Sequence, residues 1–481
     1  MTDALSTEEY RQLLITAAGN AFDADSAEPN LRLLFTPATH RLALDPDVTL
    51  VRGARGTGKT VWFKVLNDER LRGIAAAAYM MPRLRSATAT SGYGTASAPD
   101  RYPSPGVIQK LVKDEVDLVE IWRAVVMVAL GVPEILDLKK WAEKVSWAEE
   151  NPEEYDRALF EHDRREGDRN GTLLILFDAL DHLHNDRKVA DTLVSALLKV
   201  ALELRLRTRR IRAKIFIRPD MYHSAPKNFP DASKIGANPA DLTWTTEGLY
   251  GLLFHQLGNV EGEAAARFRA STGRWQDEGD GRFVAPVGVI ADKDRQEETF
   301  VGIAGPYMGT TKQKGYTYTW LPNHLQDGNR EVSPRSFLKA VSKAAEVTRD
   351  TYARHEFALH HDGIRQGVQE ASKVRADEIT EDIPWAAEAV KTLNGLQVPI
   401  EESAVLRCWR EHQLTATLNE LGGVDDHRSG PLDTGDHLGL IDQLVELGVM
   451  TRRTAHRLDL PDVYRIAFGV GRKGGVPRKT S

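Results

Sequence analysis

Short uninterrupted apolar runs alternate with helix-periodic stretches along this chain, and that mixture predicts an α/β protein. The runs Val48–Val51, Leu173–Phe177 and Ile215–Ile217 have the composition of strands that are buried on both faces of a parallel sheet. Val61–Leu66 follows the first run and has a helical pattern. Ala75–Met81 is predicted to be the second strand of the sheet.

The region before the Leu173 run predicts an insertion in this sheet-containing core. Ser86–Pro105 is rich in Ser, Thr, Ala, Gly and Pro, which predicts a loop. Val107–Leu130 is predicted to be helical, and Asp137–Asp168 is predicted to be a solvated helix pair. Together these segments predict a helical insertion over residues 82–170.

The last eighty or so residues have a pattern that resembles a winged helix. Ala404–Glu420 and His437–Leu447 predict two helices, and Val449–Arg453 and Arg457–Leu460 predict a hairpin. DNA-binding domains of this type place the second helix in the major groove and carry cations on its exposed face. This second helix carries Asp442 and Glu446 instead, which favours a protein-contact or autoinhibitory role over DNA binding.

Composition and charge narrow the class of protein. The chain has 481 residues, enough for two to four domains, and its formal net charge of −6 excludes a general polycation built for nucleic acid. Its one cysteine, Cys408, excludes an intramolecular disulfide framework and fits a reducing cytosol. With no signal peptide and no apolar run long enough to cross a bilayer, we expect a cytoplasmic protein without a membrane partner.

Residues Gly53–Thr60 fit the G-x-x-x-x-G-K-[ST] phosphate-binding loop (P-loop) between a predicted strand and a predicted helix. Backbone amides of such a loop cradle nucleotide phosphates, Lys59 would neutralise the β- and γ-phosphates, and Thr60 would offer its hydroxyl to Mg²⁺. The predicted nucleotide-binding residues are Gly53, Arg55, Gly56, Thr57, Gly58, Lys59, Thr60 and Val61. The chain is therefore predicted to bind a nucleoside triphosphate with Mg²⁺.

An acidic partner for Mg²⁺ follows the Leu173 run. Asp178 ends this apolar stretch and is the candidate metal ligand, together with Thr60. Ala179, which cannot act as an acid or a base, comes next, and the following carboxylate is Asp181. Asp181 either caps a following helix or orients the attacking water, and the spacing leaves both alternatives open.

Two arginines complete the candidate catalytic set of Lys59, Asp181, Arg218 and Arg335. Arg218 follows a predicted strand, where it would meet a phosphate or form a salt bridge with Asp220. Arg335 lies at the start of a helix that Ser333 would cap. The helix dipole disfavours a cation there, which indicates an anionic partner, and an ordinary surface arginine of little cost is the alternative.

These residues resemble the AAA+ and STAND branches of the P-loop ATPases, and Leu174–Leu183 resembles the Walker B segment of NACHT-type STAND proteins. The resemblance implies that Asp178 handles Mg²⁺ and that Asp181 polarises water. It also implies that Arg218 is a sensor-1 residue and that Arg335 is the sensor-2 arginine of a lid helix. His182 departs from the NACHT pattern, and the P-loop and Walker B segments are unusually far apart. ATP as the nucleotide rests on this resemblance.

The basic run near residue 210 leaves two interpretations open. It consists of Arg205, Arg207, Arg209, Arg210, Arg212 and Lys214. These cations either complement the C-terminus of the preceding helix or contact a polyanion or an acidic neighbouring subunit.

The predicted fold is a P-loop NTPase core of the α/β class with a parallel sheet, a helical lid and a C-terminal winged-helix-like domain. The predicted segments are an N-terminal helical segment (1–30), the ATPase core (31–250) with its insertion (82–170), a lid region (251–350), a helical linker (351–399) and a winged-helix-like domain with a basic tail (400–481).

The leading hypothesis is a slowly hydrolysing Mg-ATPase that acts as a nucleotide-controlled switch or oligomeric assembly platform with a separate effector protein. The resemblance suggests bacterial antiviral defence or stress signalling as its setting. The alternative is a DNA-associated ATPase that resembles origin-recognition initiators and binds nucleic acid through the winged helix and the basic segments. A third hypothesis is a scaffold that holds ATP without hydrolysing it.

Overall fold

The computed structural model describes residues 5–19, 29–424, 431 and 433–473. The chain forms two compact units, an α/β unit of residues 24–243 and a helical unit of residues 1–23 and 244–481. The N-terminal helix α1 (Thr7–Gly19) belongs to the helical unit, although it precedes the α/β unit in sequence.

The α/β unit is built on a five-stranded sheet in the order β2-β3-β4-β1-β5, and every neighbouring pair in it is parallel. Its strands are β1 (Leu50–Arg52), β2 (Ala87–Tyr93), β3 (Thr172–Phe177), β4 (Ile211–Ile217) and β5 (Ala240–Asp241). The predicted α/β class with a parallel sheet is confirmed.

Helices cover both faces of this sheet. The helices of this unit are α2 (Lys59–Asn67), α3 (Glu69–Ala78), α4 (Pro82–Arg85), α5 (Pro105–Lys113), α6 (Leu118–Leu130), α7 (Pro133–Leu136), α8 (Trp141–Glu150), α9 (Pro152–Asp168), α10 (Arg187–Arg207), α11 (Pro219–Ser224) and α12 (Ser233–Gly236). Leu174 and Leu176 of β3 join an apolar cluster with Trp62 of α2. Ile175 and Phe177 join the opposite cluster with Trp122 of α6. Because β3 is buried on both faces, its sequence is continuously apolar rather than alternating.

The second strand of the sheet is not where the sequence predicted it. Ala75–Met81 forms most of the last turns of α3 and the turn after it, because alanine is the strongest helix former and Asp68 caps the helix by accepting the Leu71 amide. The second strand is β2, in the segment predicted to be a loop. The insertion is therefore not wholly helical over 82–170: the short helix α4 comes first, strand β2 follows it, and the main helical part begins at α5.

The helical unit continues from α1 with further helices, among them the long antiparallel pair α18 and α19, and ends in a C-terminal domain. Its further helices are α13 (Thr246–Asn259), α14 (Glu263–Thr272), α15 (Val287–Ile290), α16 (Lys293–Ala304), α17 (Thr317–Leu325), α18 (Pro334–Thr351), α19 (His361–Asp382), α20 (Pro384–Lys391), α21 (Glu402–Glu411), α22 (Leu414–Val424), α23 (His437–Glu446) and α24 (Asp462–Arg465). Its strands are β6 (Gln276–Asp277), β7 (Phe283–Val284), β8 (Gln397–Val398), β9 (Ile400–Glu401), β10 (Thr451–Arg453), β11 (Arg457–Asp459) and β12 (Gly471–Arg472).

Helices α18 and α19 pack unusually closely. A Cβ atom on Gly367 would lie 2.1 Å from the Ala340 carbonyl oxygen, and one on Gly363 would lie 2.8 Å from that of Ala344. Glycine at both positions of α19 therefore lets the two backbones touch. The N-terminal helix joins this pair through Arg11, whose buried guanidinium donates to the carbonyl oxygens of Ala353, His355, Phe357 and Ala358.

The elements of the C-terminal domain follow the order α20-β8-β9-α21-α22-α23-β10-β11, which resembles a winged helix, and its three-stranded sheet has the order β10-β11-β9. The predicted wing hairpin is present as β10 and β11. Ala404–Glu420 is two helices rather than the single predicted one, because the chain turns at Gln413 with φ 51°. The boundary predicted at residue 400 cuts through one apolar cluster, which runs from Ala376 to Val470.

Among the residues that the structure describes, no helix combines the length and the apolar character needed to cross a membrane.

Candidate nucleotide-binding site

The P-loop lies at the carboxyl end of β1, in the middle of the parallel sheet. The Gly53 amide donates to the Ile217 carbonyl oxygen of β4 at 3.1 Å, which ties the loop to the neighbouring strand. A Cβ atom on Gly53 would lie 2.4 Å from the Thr57 hydroxyl oxygen, so the tight turn excludes a side chain. Gly58 caps α2 with φ 107°, a conformation that glycine adopts without strain. The loop thus delivers backbone amides to the N-terminus of α2, where anions bind favourably.

Lys59 lies across this loop. Its Nζ donates to the carbonyl oxygens of Gly53 at 2.9 Å and Ala54 at 3.0 Å. Burial lowers the pKa of the Lys59 ammonium, and the negative charge of Asp178 opposes that shift. An ammonium that is buried among carbonyl oxygens gains a strong electrostatic partner when a phosphate enters the loop.

The remaining predicted loop residues take different positions. Arg55 and Gly56 form the turn at the tip of the loop, and the Thr57 hydroxyl donates to the Ala54 carbonyl oxygen at 2.8 Å. Val61 packs its side chain against the apolar cluster beneath α2, so it would take part in binding only through its backbone amide.

Asp178 and Thr60 meet beside Lys59. Asp178 directly follows β3, is 2% exposed, and donates its backbone amide to the Tyr93 carbonyl oxygen of β2 at 3.1 Å. Burial raises the pKa of Asp178, whereas the charge of Lys59 and a hydrogen bond from the Thr60 hydroxyl lower it. A carboxylate and a hydroxyl at this edge are the oxygen ligands that Mg²⁺ prefers. The residues present therefore fit the predicted metal.

Asp181 reaches its position through a strained backbone. Ala179 has φ 56° and ψ 37°, in the left-handed region that residues with a side chain rarely adopt. The chain then forms a 3₁₀ turn, Leu180–His182, in which Asp181 is exposed. Asp181 does not cap the following long helix, because Asp186 caps α10 by accepting the amides of Lys188 and Val189. Its charge also raises the pKa of Lys59, so the two side chains share one electrostatic environment.

Arg218 follows β4, the strand next to the P-loop strand. Its Nε and one terminal nitrogen donate to the two carboxylate oxygens of Asp220 at 3.1 and 3.2 Å. The salt-bridge alternative is thus what this structure contains. The charge of Arg218 lowers the pKa of Lys59, which puts the guanidinium in the electrostatic environment of the loop.

Arg335 lies in the helical unit, in the first turn of α18, with Ser333 in the N-cap position. A cation is unfavourable at this end of a helix dipole and needs an anionic partner. In this structure Arg335 pairs with a carboxylate of the same unit, Glu378 of α19, at 3.3 Å. Glu378 also pairs with Arg375 at 3.0 Å, and Arg375 donates to the Tyr464 hydroxyl at 3.2 Å. Arg335 therefore belongs to a half-buried ion network that links α18, α19 and the C-terminal domain.

Most cations of the basic run form ion pairs or hydrogen bonds within the α/β unit. Arg207 pairs with Asp156 and Glu203, Arg212 pairs with Asp47, and Arg210 donates to the Gly171 carbonyl oxygen. The Nζ of Lys214 is buried against the carbonyl oxygens of Ala43, Asp45 and Val48, and burial lowers its pKa to about 7. Arg207 and Arg212 therefore have acidic partners within their own chain, and Arg210 and Lys214 contact backbone carbonyl oxygens.

The exposed face of α23 carries Asp442, Glu446 and Leu438. The wing arginines Arg452 and Arg453 face acids as well: Arg452 pairs with Glu402 and Asp442, and Arg453 pairs with Asp459 at 3.0 Å. Of the predicted basic tail, Gly471–Lys473 is described, and Arg478 and Lys479 lie outside the described residues.

Within the described residues, one other group has the composition of a metal site: His360, His361 and Asp362. His360 Nδ1 accepts the Asp362 amide at 3.1 Å, and the Asp362 carboxylate pairs with Arg365 at 2.7 Å. Both groups already serve as structural partners at the start of α19, so we assign no metal to them.

The sequence did not predict two features at the carboxyl edge of the sheet, the strand β2 and the side chain of Arg187. β2 was missed because Ala87–Tyr93 is rich in small and hydroxyl residues, although its β-branched Thr88 and Thr90 favour a strand. Arg187 was missed because its partner, Asp220, lies 33 residues away, and no local pattern signals such a pair.

No protein-family model matches the sequence, and no curated protein matches it. Among solved structures, the chain is similar to the ORC2 protein of Aeropyrum pernix in ADPNP-ADP complexes, with 16% identity, 88% of this chain and 86% of that chain covered, and a TM-score of 0.40. It is also similar to the ORC1 protein of the same organism in complex with DNA (16% identity, 90% and 91% covered, TM-score 0.34) and to Cdc6p of Pyrobaculum aerophilum (14% identity, 87% and 84% covered, TM-score 0.28). At these identities and TM-scores the similarity carries no argument about what this chain binds.

Proposed function

We propose that this protein is an ATPase of the AAA+ type that binds Mg-ATP at the carboxyl edge of its parallel sheet. The observation that carries the proposal is the meeting of Lys59, Thr60 and Asp178 around a glycine-rich loop at the N-terminus of a helix. The order of the strands supports it, because only β4 separates the P-loop strand from the Asp178 strand, so both parallel strands end at the same edge of the sheet.

Each residue at this edge would have a distinct role. The amides of Gly53–Val61 would hold the phosphates, Lys59 would neutralise them, and Thr60 and Asp178 would hold Mg²⁺. Bound Mg²⁺ would supply neutralisation of the charge that develops on the phosphates during hydrolysis. Asp181, exposed at the mouth of the site, would orient the attacking water. Arg218 would contact the terminal phosphate.

Asp178→Asn and Asp181→Asn test the metal and hydrolytic roles. Asp178→Asn is expected to remove the Mg²⁺ dependence of ATP binding, because an amide oxygen carries no charge for the cation. Asp181→Asn is expected to leave ATP binding intact and to lower turnover by about 10²- to 10⁴-fold, the usual contribution of a general base. The measurements are calorimetric titration with and without Mg²⁺, and steady-state phosphate release.

Asp186→Asn serves as the matched control for Asp181→Asn, since Asp186 is a nearby acid whose side chain caps α10. Unchanged turnover in Asp181→Asn would assign the water-orienting role elsewhere. A wild-type protein that binds Mg-ATP and never turns over would support the scaffold hypothesis.

We propose that ATP binding and hydrolysis control a switch or an assembly platform, which forms homo-oligomers and acts on a separate effector protein. The support is the C-terminal domain, which presents an acidic and partly apolar α23 face suited to a protein contact. A role in antiviral defence or stress signalling rests on the sequence resemblance alone, whereas a cytoplasmic location stays a prediction from the composition of the chain. Light scattering of the full chain with ATP and with ADP tests assembly.

The second candidate is a DNA-associated ATPase of the origin-recognition type. Exposed Arg407 and Arg410 of α21, together with Arg472 and Lys473 beside the wing, are the observation that favours it. If this candidate holds, duplex DNA affinity is expected to fall with salt by about 0.9 logarithmic units per neutralised phosphate for each tenfold increase in salt. Neutralising Arg472, Lys473, Arg478 and Lys479 would flatten that slope, whereas a salt-independent or absent interaction would favour the switch.

A further inference from the structure

Four alternating charges run away from the P-loop in the α/β unit: Arg218, Asp220, Arg187 and Asp191. Arg218 donates to both carboxylate oxygens of Asp220, and Arg187 lies 3.4 Å from one of these oxygens, Oδ2. Arg187 is itself held by Asp191 at 2.8 Å and by the Ser224 hydroxyl at 2.9 Å. All four side chains are at least three-quarters buried.

The first of these charges lies beside the predicted phosphate site. Arg218 directly follows Ile217, whose carbonyl oxygen accepts the Gly53 amide of the P-loop. Arg218 lowers the pKa of Lys59 and Asp220 raises it, so both groups act electrostatically at the loop. For Asp220 itself, burial raises the pKa, but the charges of Arg218 and Arg187 outweigh it and hold that pKa below its usual value.

The geometry points to a competition for Arg218. We propose that Asp220 and the terminal phosphate of a nucleoside triphosphate compete for this guanidinium, and that Arg187 keeps Asp220 paired when Arg218 turns to the phosphate. Asp220 and Arg187 are thus positioning residues that set the discrimination between triphosphate and diphosphate. This inference rests on the proposed function.

The competition requires that the two cationic partners of Asp220 are held differently. A largely buried carboxylate that loses its only cation is strongly destabilised. Asp220 would keep one cationic partner, because Asp191 and Ser224 hold Arg187 in place when Arg218 turns away. A diphosphate has no terminal phosphate to attract Arg218, so its binding leaves the four-charge chain as it is.

Two neighbouring substitutions are therefore expected to act in opposite directions. Asp220→Asn removes the competitor, so the ratio of ATP affinity to ADP affinity is expected to rise by about five- to tenfold, the effect of one modest ion pair. Arg187→Gln leaves Asp220 dependent on Arg218 alone, so the ratio is expected to fall by a similar factor. ADP affinity is expected to stay within about twofold of wild type in both variants, because ADP has no terminal phosphate for Arg218 and its binding is independent of these residues.

The experiment is calorimetric titration of the full chain with ATP and with ADP, in the presence of Mg²⁺, for wild type and each variant. Arg187→Lys keeps the charge and is expected to retain the wild-type ratio. Arg205→Gln, on the same helix as Arg187, is the matched control, because its guanidinium donates only to the Lys234 carbonyl oxygen among the contacts described for it. Adding Arg218→Gln to Asp220→Asn is expected to remove the gain.

The outcomes separate this inference from the proposed function. If wild type binds neither nucleotide, the proposed function is wrong, and the inference is overturned with it. If wild type binds Mg-ATP but both variants shift the ATP-to-ADP ratio in the same direction, or leave it unchanged, only the inference is overturned. Equal losses of ATP and ADP affinity in both variants would indicate a structural network and would also overturn it.

Discussion

Replacing Lys59 with alanine is expected to weaken Mg-ATP binding by at least about a hundredfold, since each lost hydrogen bond from a charged donor costs about 1.5–3 kcal/mol and the ammonium would serve two phosphates. Lys59 already lies over the P-loop with its Nζ within 3.0 Å of two loop carbonyl oxygens, so little rearrangement is needed to meet an anion there. Calorimetric titration and phosphate release measure the loss.

Lys64→Ala is the matched control, because Lys64 lies in the last turn of the same helix, α2, away from the loop. The control is expected to bind Mg-ATP like the wild type. Because Lys59 also bonds to the loop itself, thermal unfolding of both variants shows whether the loop still folds. Undiminished Mg-ATP binding by a folded Lys59→Ala variant would refute the nucleotide site at this loop.

Replacing Glu378 with alanine is expected to destabilise the helical unit by about 3–5 kcal/mol, the usual cost of removing one partner from a buried ion pair. The Glu378 side chain is 9% exposed and lies between Arg335 and Arg375, which are 19% and 13% exposed. Its removal leaves two half-buried guanidinium groups without this carboxylate. Since the network joins α18, α19 and Tyr464, the C-terminal domain should also be held less firmly.

Hydrogen exchange of the amides in α18 and α19 measures this effect locally, which is necessary because a chain of two units need not unfold in a single step. Glu370→Ala is the matched control: Glu370 lies on the same helix, is 36% exposed, and is expected to change stability by less than about 0.5 kcal/mol. Equal exchange in the two variants would show that the network contributes nothing to the unit.

Much of the α/β core was predictable because its signals are local. The P-loop needs a fixed spacing of glycines, a lysine and a threonine, and β3 is continuously apolar because both of its faces are covered. The prediction of Ala75–Met81 as a strand was also wrong for a local reason. The alanine run lies in a helix that Asp68 caps at its N-terminus, and alanine favours a helix. β2 was missed because a strand of small and hydroxyl residues resembles a loop in composition.

The sequence by itself determined which residues form the phosphate loop and its acidic partner, because strand, turn and helix follow one another directly along the chain. Only the tertiary structure decided the partners of the arginines. Arg335 meets Glu378 across 43 residues, Arg187 meets Asp220 across 33, and Arg11 of the N-terminal helix meets Ala358 across 347. Charges of this kind have many possible partners in sequence, and the choice among them is made by which helices pack together, a property that no local pattern encodes.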